Sequence, residues 1–147
     1  MYTPHVVTLY NVWEGIDGEI HYGITILKNV MLQNSKADNV NKSGLTSADA
    51  ATLFIPFDVH AVSSDGDTKA FLKPKEFMRH KCKERFWTLF SSGSESDHDC
   101  FFVKSEVVSE NGYAYMREHY DDVYKVTSVD IRDFGSMSMR HWQVGAR

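Results

Sequence analysis

From Val6 to Trp13 the chain is a run of apolar and β-forming positions interrupted only by Thr8 and Asn11. A second such run follows from His21 to Leu27, and Glu14-Gly15-Ile16-Asp17-Gly18 separates the two. Enrichment in Val, Ile, Thr, Tyr and Trp on either side of an Asp-Gly pair predicts an opening β-hairpin. Asn29-Val30-Met31-Leu32 either extends the second strand beyond a kink or forms a short strand of its own. Periodicity then disappears. Residues 33–51 are mostly polar and small, with Asn34, Lys36, Asp38 and Lys42 set around a few apolar positions such as Val40 and Leu45. The stretch reads as a long loop, and loops of this length inside a compact domain tend to be functional or disordered. Those six residues are the candidate partner-contact positions; the alternative is a plain surface excursion.

Alternation returns at Leu53, Ile55 and Phe57 against Thr52, Phe54 and Pro56. Pro56 cannot donate to a ladder, so this strand is expected at an edge or broken by a bulge. Ser63 to Asp67 predicts a turn, and Lys73 to His80 a short helix with Pro74 in its first turn. Further strands are expected at Phe86–Phe90, Cys100–Lys104, Val123–Asp130 and His141–Gly145, with a helical turn or two between Asn111 and Asp121. On the Val123–Asp130 strand, Val123, Lys125 and Thr127 face one way and Tyr124 and Val126 the other. Six to eight strands, one clear helix and no repeating βαβ unit predict an all-β domain. Its expected form is a small antiparallel β-barrel or sandwich with a short inserted helix and the long loop. With 147 residues the chain fits a single domain spanning 1–147, a size that buries about 68–70% of its unfolded surface.

Charge and composition narrow the function. The net charge is −4 and no basic stripe is present, which disfavours a protein that grips phosphate backbones. No run of eighteen apolar residues is found, as a membrane-spanning helix would need, and the first residues lack a signal-peptide pattern. A soluble chain made in the cytoplasm is the expectation. Cys82 and Cys100 give no disulfide framework and are expected as reduced thiols.

Candidate chemistry is sparse. Asp133-Phe134-Gly135 spells a kinase metal-binding tripeptide, but neither a Gly-rich phosphate loop nor a His-Arg-Asp sequence accompanies it, so Gly135 reads as a turn residue. His80-Lys81-Cys82 and His98-Asp99-Cys100 contain zinc-ligand types at a spacing that matches no structural zinc unit. No nucleophile elbow is present. The aromatic residues Phe86, Trp87, Phe90, Phe101 and Phe102 lack interleaved Lys and Arg, so they read as core rather than as a base-stacking platform. No catalytic residue, metal site or cofactor is therefore expected.

Several segments together resemble a small family of tailed-phage and prophage proteins. They are Val7-Thr8-Leu9-Tyr10-Asn11, Tyr22 to Leu27 leading into Asn29-Val30, Leu53 to Phe57, Trp87-Thr88-Leu89, Cys100 to Lys104, Tyr124 to Asp130, and Phe134-Gly135 with His141 to Gly145. A Thr-Leu-Tyr-Asn strand followed by a Tyr-x-x-Thr-x-Leu-x-x-Val strand is also similar to minor capsid or head-completion proteins of long-tailed phages. The resemblance implies a β-barrel subunit of a homo-oligomeric ring in the virion neck, below the portal and adaptor. Such a head-closure, or stopper, ring retains packaged DNA until the tail joins, so it lies near DNA without gripping it. The resemblance implies no catalytic residue. A tail-completion or tail-tube subunit fits the same features. A small ligand- or nucleic-acid-binding barrel is the reading from a different class.

Overall fold

A computed structural model describes residues 3–34, 51–92 and 98–147. The opening hairpin is formed by β1 (His5–Glu14) and β2 (Ile20–Asn34), paired antiparallel from His5↔Val30 to Glu14↔Ile20. Gly18 closes their turn at φ +79°, the left-handed region that glycine enters freely. The kink in β2 falls at Asn29, whose φ is +64°, beside a register shift between His5 and Val6. One extra residue there bends the strand. Past the bend β2 leaves β1 and pairs with β3 (Ala51–Pro56), from Met31↔Phe54 to Asn34↔Ala51. The first of the two alternatives is therefore the observed one: β2 is a single bent strand.

The rest of the sheet comprises β4 (His60–Val62), β7 (Phe101–Val103), β8 (Val123–Arg132) and β9 (His141–Ala146). The order β1-β7-β8-β9-β3-β2 returns to β1 through the opening hairpin, closing a six-stranded antiparallel barrel. Outside it, β4 adds to β2 at Ile26–Lys28, and β5 (Ala70–Phe71) pairs in parallel with β6 (Phe86–Trp87). Two short helices complete the fold, α1 (Pro74–Arg79), with Pro74 in its first turn, and α2 (Tyr113–His119).

Three expectations are corrected. The long loop does not begin at residue 33 or end at 51: Gln33 and Asn34 belong to β2 and Ala51 to β3. Polar side chains there hid a backbone that continues to pair. Pro56 is neither at an edge nor at a bulge. Its strand lies between β2 and β9, and Pro56 is simply its last residue, past the β2 register, where no donor toward β2 is needed. Finally, the strand expected at Phe86–Phe90 stops at Trp87, because Thr88 turns its backbone to the side chain of Asn11. That amide donates to Thr88 O at 2.8 Å and accepts from Thr88 N–H at 3.2 Å, and Asn11 is buried.

The barrel interior is filled by Val7, Leu9, Leu27, Leu53, Ile55, Phe102, Tyr124, Val126 and Val144, all buried. A second apolar cluster lies on the outer face of β1, β7 and β8. Tyr10, Val12, Phe101 and Val123 there pack with Val107 and with Met116 of α2. The Tyr10 and Phe101 rings stack at 4.6 Å. Strand β1 is thus covered on both faces, which explains why its sequence is nearly continuous in apolar residues.

On β8 the inward residues are Tyr124 and Val126, with Val123 on the opposite face, as alternation predicts. A register shift between Val126 and Ser128 then resets the pattern, and the strand continues to Arg132.

Candidate functional site

Beyond Lys125 strand β8 loses its β7 partner and runs on with β9 alone. Strand β8 thus runs on past β7, and residues 133–140, which join no ladder, form the connection to β9 at one end of the barrel. Its root is fixed by aromatic packing. Trp142 lies 4.6 Å from Phe57, 4.6 Å from Phe71 and 5.3 Å from Trp87 between ring centres. Phe57 N–H also donates to Arg140 O at 3.2 Å.

The tip turns at Gly135, with φ +85°, and passes through a single 3-10 turn at Met137–Met139. Met139 N–H bonds Ser136 O at 2.9 Å. This geometry lifts large apolar side chains into solvent: Ile131 is 56% exposed, Phe134 66%, Met137 74% and Met139 55%. Phe134 and Met139 line a groove of about 360 Å³ together with Arg132 and His141. Single exposed apolar residues are ordinary, whereas four within nine residues of one connection make a candidate contact surface. The sequence reading assigned Gly135 to a turn correctly but overlooked its neighbours. The available signal was four large apolar residues in a segment otherwise made of Gly, Ser, Asp and Arg.

Of the predicted contact positions, Asn34 lies at the opposite end of the barrel, where β2 and β3 meet at Asn34↔Ala51. Asn34 is structural in part: its amide donates to Tyr124 Oη at 2.7 Å, tying β2 to β8. Burial and the nearby Asp122 carboxylate raise the Tyr124 phenol above its ordinary pKa. Lys36, Asp38, Val40, Lys42 and Leu45 lie outside the described residues.

A polar cleft of about 630 Å³ opens on the flank, between β2, the Ser63–Asp67 turn and the segment before α2. Lys69 is buried in its wall, with the ammonium donating to Ile24 O at 3.0 Å. Burial lowers its pKa to about 8, with Glu84 opposing the shift. Asp65, Asp67, Glu84 and Glu110 outnumber Lys69 and Arg85 along the lining.

One member of each His–Cys pair has a local partner. His80 Nδ1 accepts from Cys82 N–H at 3.0 Å, and the Cys100 thiol donates to Phe90 O at 3.0 Å. Burial pushes the Cys100 thiol up to about 12, so it is an unreactive core residue. Both cysteines are free. Among the described residues no three His, Cys, Asp or Glu side chains gather as metal ligands. Trp87, Phe101 and Phe102 are core residues, as read from the sequence. No helix among the described residues is long and apolar enough to cross a membrane.

No curated protein and no solved structure matches the chain. Residues 2–147 match one family along almost their whole length, and the protein belongs to it: a family of unknown function, DUF6751.

Proposed function

We propose that the protein is a non-enzymatic structural subunit of the tailed-phage head-to-tail connector, forming a head-closure ring between the portal-adaptor complex and the tail. The observation that carries this reading is the β8–β9 connection at one barrel end, rooted by aromatic packing and apolar at its tip. The last β2–β3 pair, Asn34↔Ala51, lies at the other end. A subunit stacked between two neighbours needs contact elements at both ends of a stiff body, and a small closed barrel supplies the stiffness. The mild negative charge suits a conduit along which DNA slides. The phage assignment itself rests on the resemblance of the strand segments described above.

A small-ligand barrel is the competing reading, and the polar cleft is what favours it. Its one buried cation is already bonded to Ile24 O, and carboxylates dominate its lining. The exposed apolar tip has no role in that reading, which is why assembly is preferred.

Disruption of the gene in a phage or inducible prophage that encodes the protein tests the proposal by electron microscopy. The expected lysate contains heads and tails that have not joined, with heads that have lost DNA. Normal numbers of joined, infectious particles would overturn it.

A further inference from the structure

We infer that two free copies of this chain pair through their opening turns, the Ile16 turn of each entering a groove beside α1 of the other. The pairing stands apart from the neck reading. Ile16 lies in the turn between β1 and β2 and is fully exposed, more so than any other large apolar side chain among the described residues. Backbone bonds fix the turn that presents it: Gly15 N–H donates to Glu19 O at 2.8 Å and Gly18 N–H to Gly15 O at 3.0 Å. The groove has a volume of about 290 Å³, room for one large aliphatic side chain. Pro74, Met78 and Phe90 line it with Lys75 and Arg79.

Charge and placement both select this occupant. Residues 14–19 carry three exposed carboxylates, Glu14, Asp17 and Glu19, and no Lys or Arg. Helix α1 and its flanks expose Lys73, Lys75, Arg79 and Lys81 against Glu76. An apolar side chain among carboxylates thus meets an apolar groove among cations. The β8–β9 tip does not match this groove, because it carries Arg132 and Arg140 against Asp133, the same sign as the rim. Placement makes the contact reciprocal. Trp13, three residues before Ile16, packs edge-on against Phe77 of α1, with ring centres 5.7 Å apart. Turn and groove are therefore neighbours in one subunit, yet Ile16 stands in solvent and leaves its own groove unfilled. Adjacent complementary patches suit a two-fold contact, in which each knob fills the other copy's groove and assembly stops at the dimer. The interface is small, so association is expected to be weak and concentration-dependent.

Charge exchange followed by sedimentation equilibrium tests the pairing with full-length protein. Lys75→Glu with Arg79→Glu reverses the rim of the groove, and Glu14→Lys with Glu19→Lys reverses the turn. Each double variant alone is expected to dimerise at least about 30-fold more weakly than the unaltered chain, as interface anchors do. All four changes in one chain set opposite charges against each other again, so that chain is expected to recover most of its dimers. Ile16→Ser removes the anchor and is expected to cost a similar factor. Raising the salt should weaken the parent dimer, since its charges lie near solvent. The altered side chains are all exposed, so thermal unfolding should stay close to that of the parent.

A parent chain that stays monomeric up to about 1 mM, the upper end of weak association, overturns the inference and leaves the groove to a different partner. Variants that associate like the parent overturn it equally, as does a four-fold variant no tighter than its two halves. Parent assemblies that grow past dimers through the same residues would overturn the two-fold arrangement. These outcomes concern the pairing alone. Dimers from a protein absent from virions would leave the pairing standing and remove the neck assignment.

Discussion

Replacing Trp142 by Ala is expected to lower the unfolding free energy by about 3–5 kcal/mol, the range for truncating a buried aromatic side chain. Trp142 is only 8% exposed, and its ring is enclosed by Phe57, Phe71 and Trp87. These three neighbours come from separate parts of the chain: the residue after β3, strand β5 and strand β6. Each is held by its own backbone pairing, so the site cannot collapse to fill the space left by an indole. The loss should appear in urea titration as a lower midpoint with an unchanged slope. A change within about 0.5 kcal/mol, typical of surface positions, would show that the aromatic root does not hold the hairpin.

A loss of about 3 kcal/mol is expected from Asn11→Ala, since the substitution strands two buried backbone groups at about 1–3 kcal/mol each. The Asn11 amide bonds both Thr88 N–H and Thr88 O, at 3.2 Å and 2.8 Å. It acts as a one-residue strand, fastening the segment after β6 to the barrel wall where no β-ladder is present. Asn11→Asp separates this role from simple volume. A carboxylate keeps the shape and accepts from Thr88 N–H, but it cannot donate to Thr88 O and brings a buried charge. The Asp variant should therefore be no more stable than the Ala variant at neutral pH. Near-parent stability in either variant would contradict the role given to Asn11.

What could be read in the sequence was what local chemistry determines. Asp17-Gly18 places the first turn, Pro74 starts α1, and the polar break at Asn29 marks the bend in β2. The alternation from Val123 survives until the register shift after Val126. Long-range pairing was not legible in the same way. Whether the strands closed into a barrel or split into a sandwich depended on β2 changing partners from β1 to β3, which no single window displays. The parallel β5–β6 pair is two residues long and leaves no period. Thr88 looked like strand because its apolar neighbours are buried, yet its backbone partner is a side chain far away in sequence.

The candidate contact surface was the hardest element to see. Attention falls naturally on a long polar segment, and only Asn34 of the six candidate positions there lies within the described residues, with its amide tied to Tyr124. The tip of the β8–β9 hairpin is shorter and looks like an ordinary turn. Its significance lies in exposure: four large apolar side chains that strand alternation alone would have placed half inside.

The most direct measurement is quantitative mass spectrometry of purified virions, comparing this chain with the portal protein. A neck ring predicts a copy number within a small multiple of the portal's. A far larger number would move the protein to the tail tube or the capsid, and its absence from virions would contradict the structural role altogether.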